Sequence, residues 1–146
     1  MIIFKGKLTN HFSAEEYTVH QTEDCAITRE AMKHAEMLEE FRQWLKRPME
    51  VNAWYRTAKY NKQVKGNAKS SHLRGVATDI SMPGLSEDRF VKYAKKWKEI
   101  CEEHGVVGEA GLYTWGIHLG SHVTYSKTFY NWDSRSGAQK NKVFKI

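Results

Sequence analysis

In the stretch Ser70-Ser71-His72-Leu73-Arg74-Gly75-Val76-Ala77-Thr78-Asp79, a histidine closes a polar loop and an aspartate follows seven positions later on an alternating, strand-like segment. Imidazole nitrogen and carboxylate oxygen are both zinc donors, and a catalytic zinc takes three protein ligands and keeps one position for water. Gly75 permits a sharp turn between His72 and Asp79, and the small Ala77 and Ser81 on the face of Asp79 leave room for a metal and a substrate. Taken alone, the pair equally describes a surface contact or a satisfied polar cluster. A third donor has to come from elsewhere in the chain.

Ile117-His118-Leu119-Gly120-Ser121-His122-Val123-Thr124 offers two, His118 and His122, at i and i+4 on one face of an expected strand. An extended chain separates them by about 13 Å, at roughly 3.3 Å per residue, so one ion takes only one of them. Proton transfer then falls to His118, Glu109 or Asp133, each of which also reads as a surface group. Arg56 carries a planar guanidinium that can hold a substrate carboxylate or a developing oxyanion through two hydrogen bonds, against the alternative of a solvated arginine at a strand end. Ser70 either positions substrate or makes a turn bond.

The elements that must carry these groups follow from periodicity. Apolar residues at Ala31, Ala35, Leu38, Phe41 and Leu45 predict a helix over 28–46 with Thr28 as N-cap. Phe90, Ala94, Trp97 and Cys101 predict a second over 86–104, stopped by Gly105. Strands are expected at 50–55, 75–82, 106–113 and 117–125, the last two joined as a hairpin through Thr114-Trp115-Gly116. The order α, β, β, α, β, β predicts an α+β fold with helices packed on an antiparallel sheet. No repeat, low-complexity tract or linker divides the chain, so a single domain over 1–146 is expected.

The pattern S-x-H-x-x-G-x-A-x-D, with Ser70, His72, Gly75, Ala77 and Asp79 in place, resembles the zinc motif of D-Ala-D-Ala carboxypeptidases, phage L-alanoyl-D-glutamate endolysins and the related hedgehog-type fold. Val51-Asn52-Ala53-Trp54-Tyr55-Arg56-Thr57 with Asn61 is similar to the family's strand ending in tyrosine and arginine, although Ala53-Trp54 stands where relatives have Ser-Gly. Asn10-His11-Phe12-Ser13 with Glu16 and Tyr17 resembles the opening of these cell-wall peptidases. The likeness spans roughly residues 10 to 132 and implies Zn2+ as cofactor and the peptidoglycan stem peptide as substrate, in a phage or prophage endolysin. Family members close with His-Val-Asp or His-Val-Ser and a later tryptophan. His122-Val123-Thr124 with Trp132 fits that frame, so the resemblance implies His72, Asp79 and His122 as metal ligands. Relatives place a proton acceptor shortly before the last ligand, and no carboxylate immediately precedes His122. That departure leaves open a non-catalytic cell-wall-binding module with the same fold.

The chain has 146 residues and a formal charge of +6, which favours an anionic partner such as an acidic wall polymer. Its lysines are spread over several elements without a nucleic-acid-binding motif, so nucleic acid is not expected as partner. Lys59, Lys62, Lys65 and Lys69 flank the metal loop and either attract an acidic substrate or form a solvated basic loop. The aromatic residues Trp54, Tyr55, Tyr113, Trp115, Phe129, Tyr130 and Trp132 either line a groove or pack the core. No run is apolar enough to cross a bilayer and the first residues lack a secretory pattern, so synthesis in a cytoplasm, no membrane insertion and a monomer are expected. The two cysteines, Cys25 and Cys101, predict no disulfide framework, and Cys101 reads as a core residue.

Overall fold

A computed structural model describes residues 6–21, 27–82, 84 and 86–135. Cys25, the first five residues and the stretch after 135 lie outside the described residues. The elements are α1 (Ala14–Tyr17), α2 (Arg29–Leu45), β1 (Glu50–Ala53), α3 (Ala58–Gln63), β2 (Ala77–Ser81), α4 (Phe90–Glu103), β3 (Glu109–Leu112), β4 (Ile117–Gly120) and β5 (Tyr130–Asp133). Short 3-10 turns occupy Ser71–Arg74 and Glu87–Arg89.

Both long helices form where the periodicity puts them. Thr28 caps α2 by accepting from the Ala31 amide, and Gly105, at φ 68°, follows α4. Ser13 and Glu16 of the opening motif form a capping box on α1, and Tyr17 behind it is buried under Gly75. A Cβ at Gly75 would lie 2.3 Å from the Tyr17 hydroxyl, and the residue has φ 71°, so this turn needs glycine on both counts.

The sheet runs β1-β2-β4-β3-β5. The expected antiparallel pairing holds among the first four strands, and β5 adds a parallel edge beside β3. The fold is thus α+β as expected, with a mixed rather than purely antiparallel sheet. β5 is not among the strands expected from the sequence.

Alternation splits the sheet into two chemically distinct faces. Thr78, Ile80, Ala110, Leu112, Ile117 and Leu119 are fully buried, the apolar ones in one core with Leu38 and Phe41 of α2 and Ala94 and Trp97 of α4. Cys101 lies in the same core, where burial pushes its thiol pKa up. The other face carries Asp79, Glu109, Gly111, His118, Gly120 and Trp132.

His34 ties α2 to the sheet through two hydrogen bonds, one between Nδ1 and Ser121 Oγ at 2.8 Å and one between Nε2 and Thr78 Oγ1 at 2.9 Å, one ring nitrogen donating and the other accepting. Burial holds its pKa down at about 3, and the nearby imidazoles of His122, His118 and His72 push the same way. An unfolded histidine titrates near ~6.5, so between that pH and about 3 the unfolded chain takes up a proton that the folded one refuses. Stability from this site is complete above ~6.5 and is lost as the pH falls. Urea midpoints should drop between ~pH 7.5 and ~pH 5, and drop less in His34→Gln; equal slopes would contradict the assignment.

Candidate metal centre

The β2–β4 register sets Asp79 opposite His118, the β3–β4 register sets His118 opposite Gly111, and β5 sets Trp132 opposite Gly111. One row across the sheet therefore reads Asp79, His118, Gly111, Trp132. Directly opposed residues have Cβ atoms about 4.5–5.5 Å apart, close enough for side chains to touch. His118 Nδ1 lies 2.7 Å from Asp79 Oδ1. A Cβ at Gly111 would come within 2.2 Å of the Trp132 indole, so the glycine lets that ring lie down beside His118, at 5.1 Å between centroids.

His72 reaches the same aspartate from the 3-10 turn, whose start Ser70 caps by accepting from the His72 amide at 3.2 Å. Its Nδ1 donates to the Trp54 carbonyl at 2.6 Å, and its Nε2 faces Asp79 Oδ2 at 3.2 Å. One ligand atom from each of His72, Asp79 and His118 lies within 4.8 Å of the others. Burial resists ionisation of Asp79, yet hydrogen bonds from His118 and His72 hold its carboxyl well below the usual range.

Glu109 completes the cluster from β3. Its carboxylate lies against Gly120, where any Cβ would approach it to 2.4 Å. Oε1 is 3.1 Å from His118 Nε2, and Oε2 accepts from the Tyr125 hydroxyl. Burial opposes its ionisation, but His118, Tyr125 and Ser71 overcome that and bring the pKa to about 2. For His118, burial opposes protonation, and the bonds to Asp79 and Glu109 outweigh it to raise the pKa. Arg56 stands beyond Asp79, with Nη2 3.6 Å from Oδ2 and Nη1 3.3 Å from Asn61 Oδ1, while its buried Nε has no hydrogen-bond partner.

Of the expected ligands, His72 and Asp79 come together and His122 does not join them. The strand expected over 117–125 ends at Gly120, and His122 takes a left-handed backbone with φ 53°. Its ring turns to Ser121 Oγ at 2.9 Å, and its carbonyl accepts from Arg74. The geometry puts His118, four residues before His122, beside His72 and Asp79. Asp133 also lies away from the cluster, paired with Arg135. Trp54 is fully buried and donates to the Gly75 carbonyl, Tyr55 stacks on Tyr17, and Phe129 packs on the core, so these three do not line the groove.

The cluster opens into a cavity of about 630 Å³. Its lining includes Arg56, Asn67, Lys69 and Ser70, and Tyr113, Trp115, Tyr125, Tyr130 and Trp132 contribute aromatic rings. Lys59, Lys62 and Lys65 are exposed and do not line it. Tyr125 and Ser71, both bonded to Glu109, carried no sequence signal, because each owes its place to the folded return of a loop.

The chemistry of this donor set fits a catalytic zinc. It offers two imidazoles and a carboxylate, and the second nitrogen of each imidazole is already held, by the Trp54 carbonyl on His72 and by Glu109 on His118. The sequence model of the peptidase M15 family matches residues 10–115. The chain belongs to that family. The matched span includes His72, Asp79, Arg56 and Glu109, and ends three residues before His118. No curated protein matches the chain. No helix among the described residues is long and apolar enough to cross a membrane.

For an M15 peptidase with this geometry, zinc titrations should separate the two histidines. His118→Ala should lose tight, near-stoichiometric zinc binding, whereas His122→Ala should keep it. Retention in the first and loss in the second would restore the expectation drawn from the sequence.

Proposed function

We propose that this chain is a zinc peptidase that hydrolyses amide bonds in peptidoglycan stem peptides, with His72, Asp79 and His118 as the metal ligands. The observation that carries the reading is the convergence of those three donors, two of them in the family-matched span, at the floor of an open cavity. Zinc bound there would polarise a substrate carbonyl and make water acidic enough to attack near neutral pH.

The remaining work falls to the chain's own side chains. Arg56, with its Nε free of any hydrogen-bond partner, offers a fixed cation to a substrate carboxylate or to the charge that develops on the carbonyl oxygen. Among the described residues, Glu109 is the one carboxylate besides Asp79 that lines the cavity. A carboxylate has about four acceptor positions, so Glu109 can hold His118 and Tyr125 and still take a proton from the attacking water and pass it to the leaving amine. Ser70 lines the cavity, while its hydroxyl also caps the His72 turn, so it supports substrate and ligand together. The endolysin setting rests on the likeness of the Ser70 to Asp79 string to that of L-alanoyl-D-glutamate endolysins.

A wall-binding module without catalysis would keep the fold and the metal but would need no proton acceptor. The place of Glu109 in the cavity supports the catalytic reading. Incubation of the zinc-loaded protein with purified peptidoglycan, followed by mass spectrometry, should reveal new amino and carboxyl termini in the stems and no new reducing sugar ends. Sugar ends without new termini would overturn the proposal.

Two variants test the roles. Glu109→Gln should retain zinc and slow turnover by ~10² to 10⁴-fold, the range for loss of a general acid or base. A variant that instead loses zinc with little change in kcat when reloaded would reduce Glu109 to orienting His118. Arg56→Lys should fold normally and lose turnover, because lysine keeps the charge without the planar fork. Unchanged kinetics would return Arg56 to a structural role.

A further inference from the structure

Among the described residues, four large apolar side chains are exposed, and three of them, Trp115, Tyr125 and Tyr130, lie on the same cavity wall. Their exposures of 43%, 50% and 47% are high for rings of this size, which ordinarily hide most of their surface. The rings are held in a continuous, mutually braced array. Trp115 stacks on Tyr113 at 4.9 Å with 15° between planes, and Tyr130 contacts Tyr125 and Trp132, each at 5.6 Å. Trp132 Nε1 donates to the Tyr113 hydroxyl at 2.9 Å, joining the two ends. Side chains already fixed by neighbours lose little freedom on binding, so the wall is preorganised for a flat ligand.

The lining also includes the cations of Arg56 and Lys69, which suit carboxylates, whereas the five rings offer hydroxyl and indole groups and apolar faces. Stem peptides consist of alanine, an acidic residue and a diamino acid, none of which presents a flat ring to stack on that array. A pyranose ring has the complementary character, with an apolar C–H face and polar edges that match the rings and their hydroxyls.

We infer that the aromatic wall is a subsite for the uncharged amino-sugar ring that carries the stem peptide, so that the enzyme reads glycan and peptide together. The inference rests on the peptidase reading above and extends it from the bond cut to the context in which it is cut. Trp115 and Tyr130 are specificity residues in this account, and the sugar is bound rather than cleaved.

The test uses the zinc-loaded full chain and two probes. The first is a peptide-free oligomer of N-acetylglucosamine and N-acetylmuramic acid, with binding read by quenching of tryptophan fluorescence. The second compares kcat/KM for a stem peptide with and without its amino sugar. Wild type should bind the oligomer and prefer the sugar-linked peptide, and Trp115→Ala should weaken binding and shrink the preference by roughly tenfold, the size of one lost stacking contact. Trp115→Phe should retain most of both. Equal cleavage of the two peptides by wild type, or no oligomer binding, would overturn the subsite. Oligomer binding that depends on Trp115 in a chain that cuts neither peptide would keep the subsite and overturn the peptidase reading instead.

Discussion

The cross-strand contact between Asp79 and His118 organises the functional face. It exists because β2 and β4 pair in a register that sets these two residues directly opposite, and a slip of either strand by one residue would turn its member of the pair to the helix-covered face. The alternation that buries Ile80, Ile117 and Leu119 enforces the register, since each lies on the opposite side of the same strands. Core packing and the placement of the candidate metal donors are thus one constraint. His72 adds to the pair through a turn whose glycine, left-handed and pressed on Tyr17, fixes where the histidine ring emerges.

Around that contact the sheet is arranged to keep room and to hold charge. Gly111 and Gly120 lack side chains where Trp132 and the Glu109 carboxylate lie across them, so bulky and ionised groups share a surface only one residue deep. The buried Glu109 and the half-buried Asp79 would otherwise disfavour their own ionisation. They stay charged through His118 between them, Arg56 beside Asp79 and the Tyr125 hydroxyl on Glu109. Such concentration of perturbed groups in one cavity is typical of functional sites rather than of structural ion pairs.

Much of this was legible in the chain. The two long helices follow from 3.6-residue spacing, four of the strands from alternation, and the His72 to Asp79 string marks both the metal region and the family. What failed has a common physical cause. The strand expected over 117–125 runs five residues past its observed end at Gly120, because Ser121, His122 and Val123 continue its composition, while the left-handed turn at His122 is a backbone choice with no glycine to announce it. The sequence favours His122 on a tripeptide likeness, whereas the β2–β4 register puts His118 beside Asp79. Strand β5, Tyr125 over Glu109 and the burial of Trp54 depend on long-range return of the chain, which local pattern does not encode.

Anomalous diffraction from crystals of the zinc-loaded protein tests most directly the proposal that strand register makes His118 the third donor. One strong zinc peak is expected about 2.0–2.2 Å from a nitrogen of His72, an oxygen of Asp79 and a nitrogen of His118. A zinc peak bonded to His122, or the absence of any peak between His72 and Asp79, would contradict it.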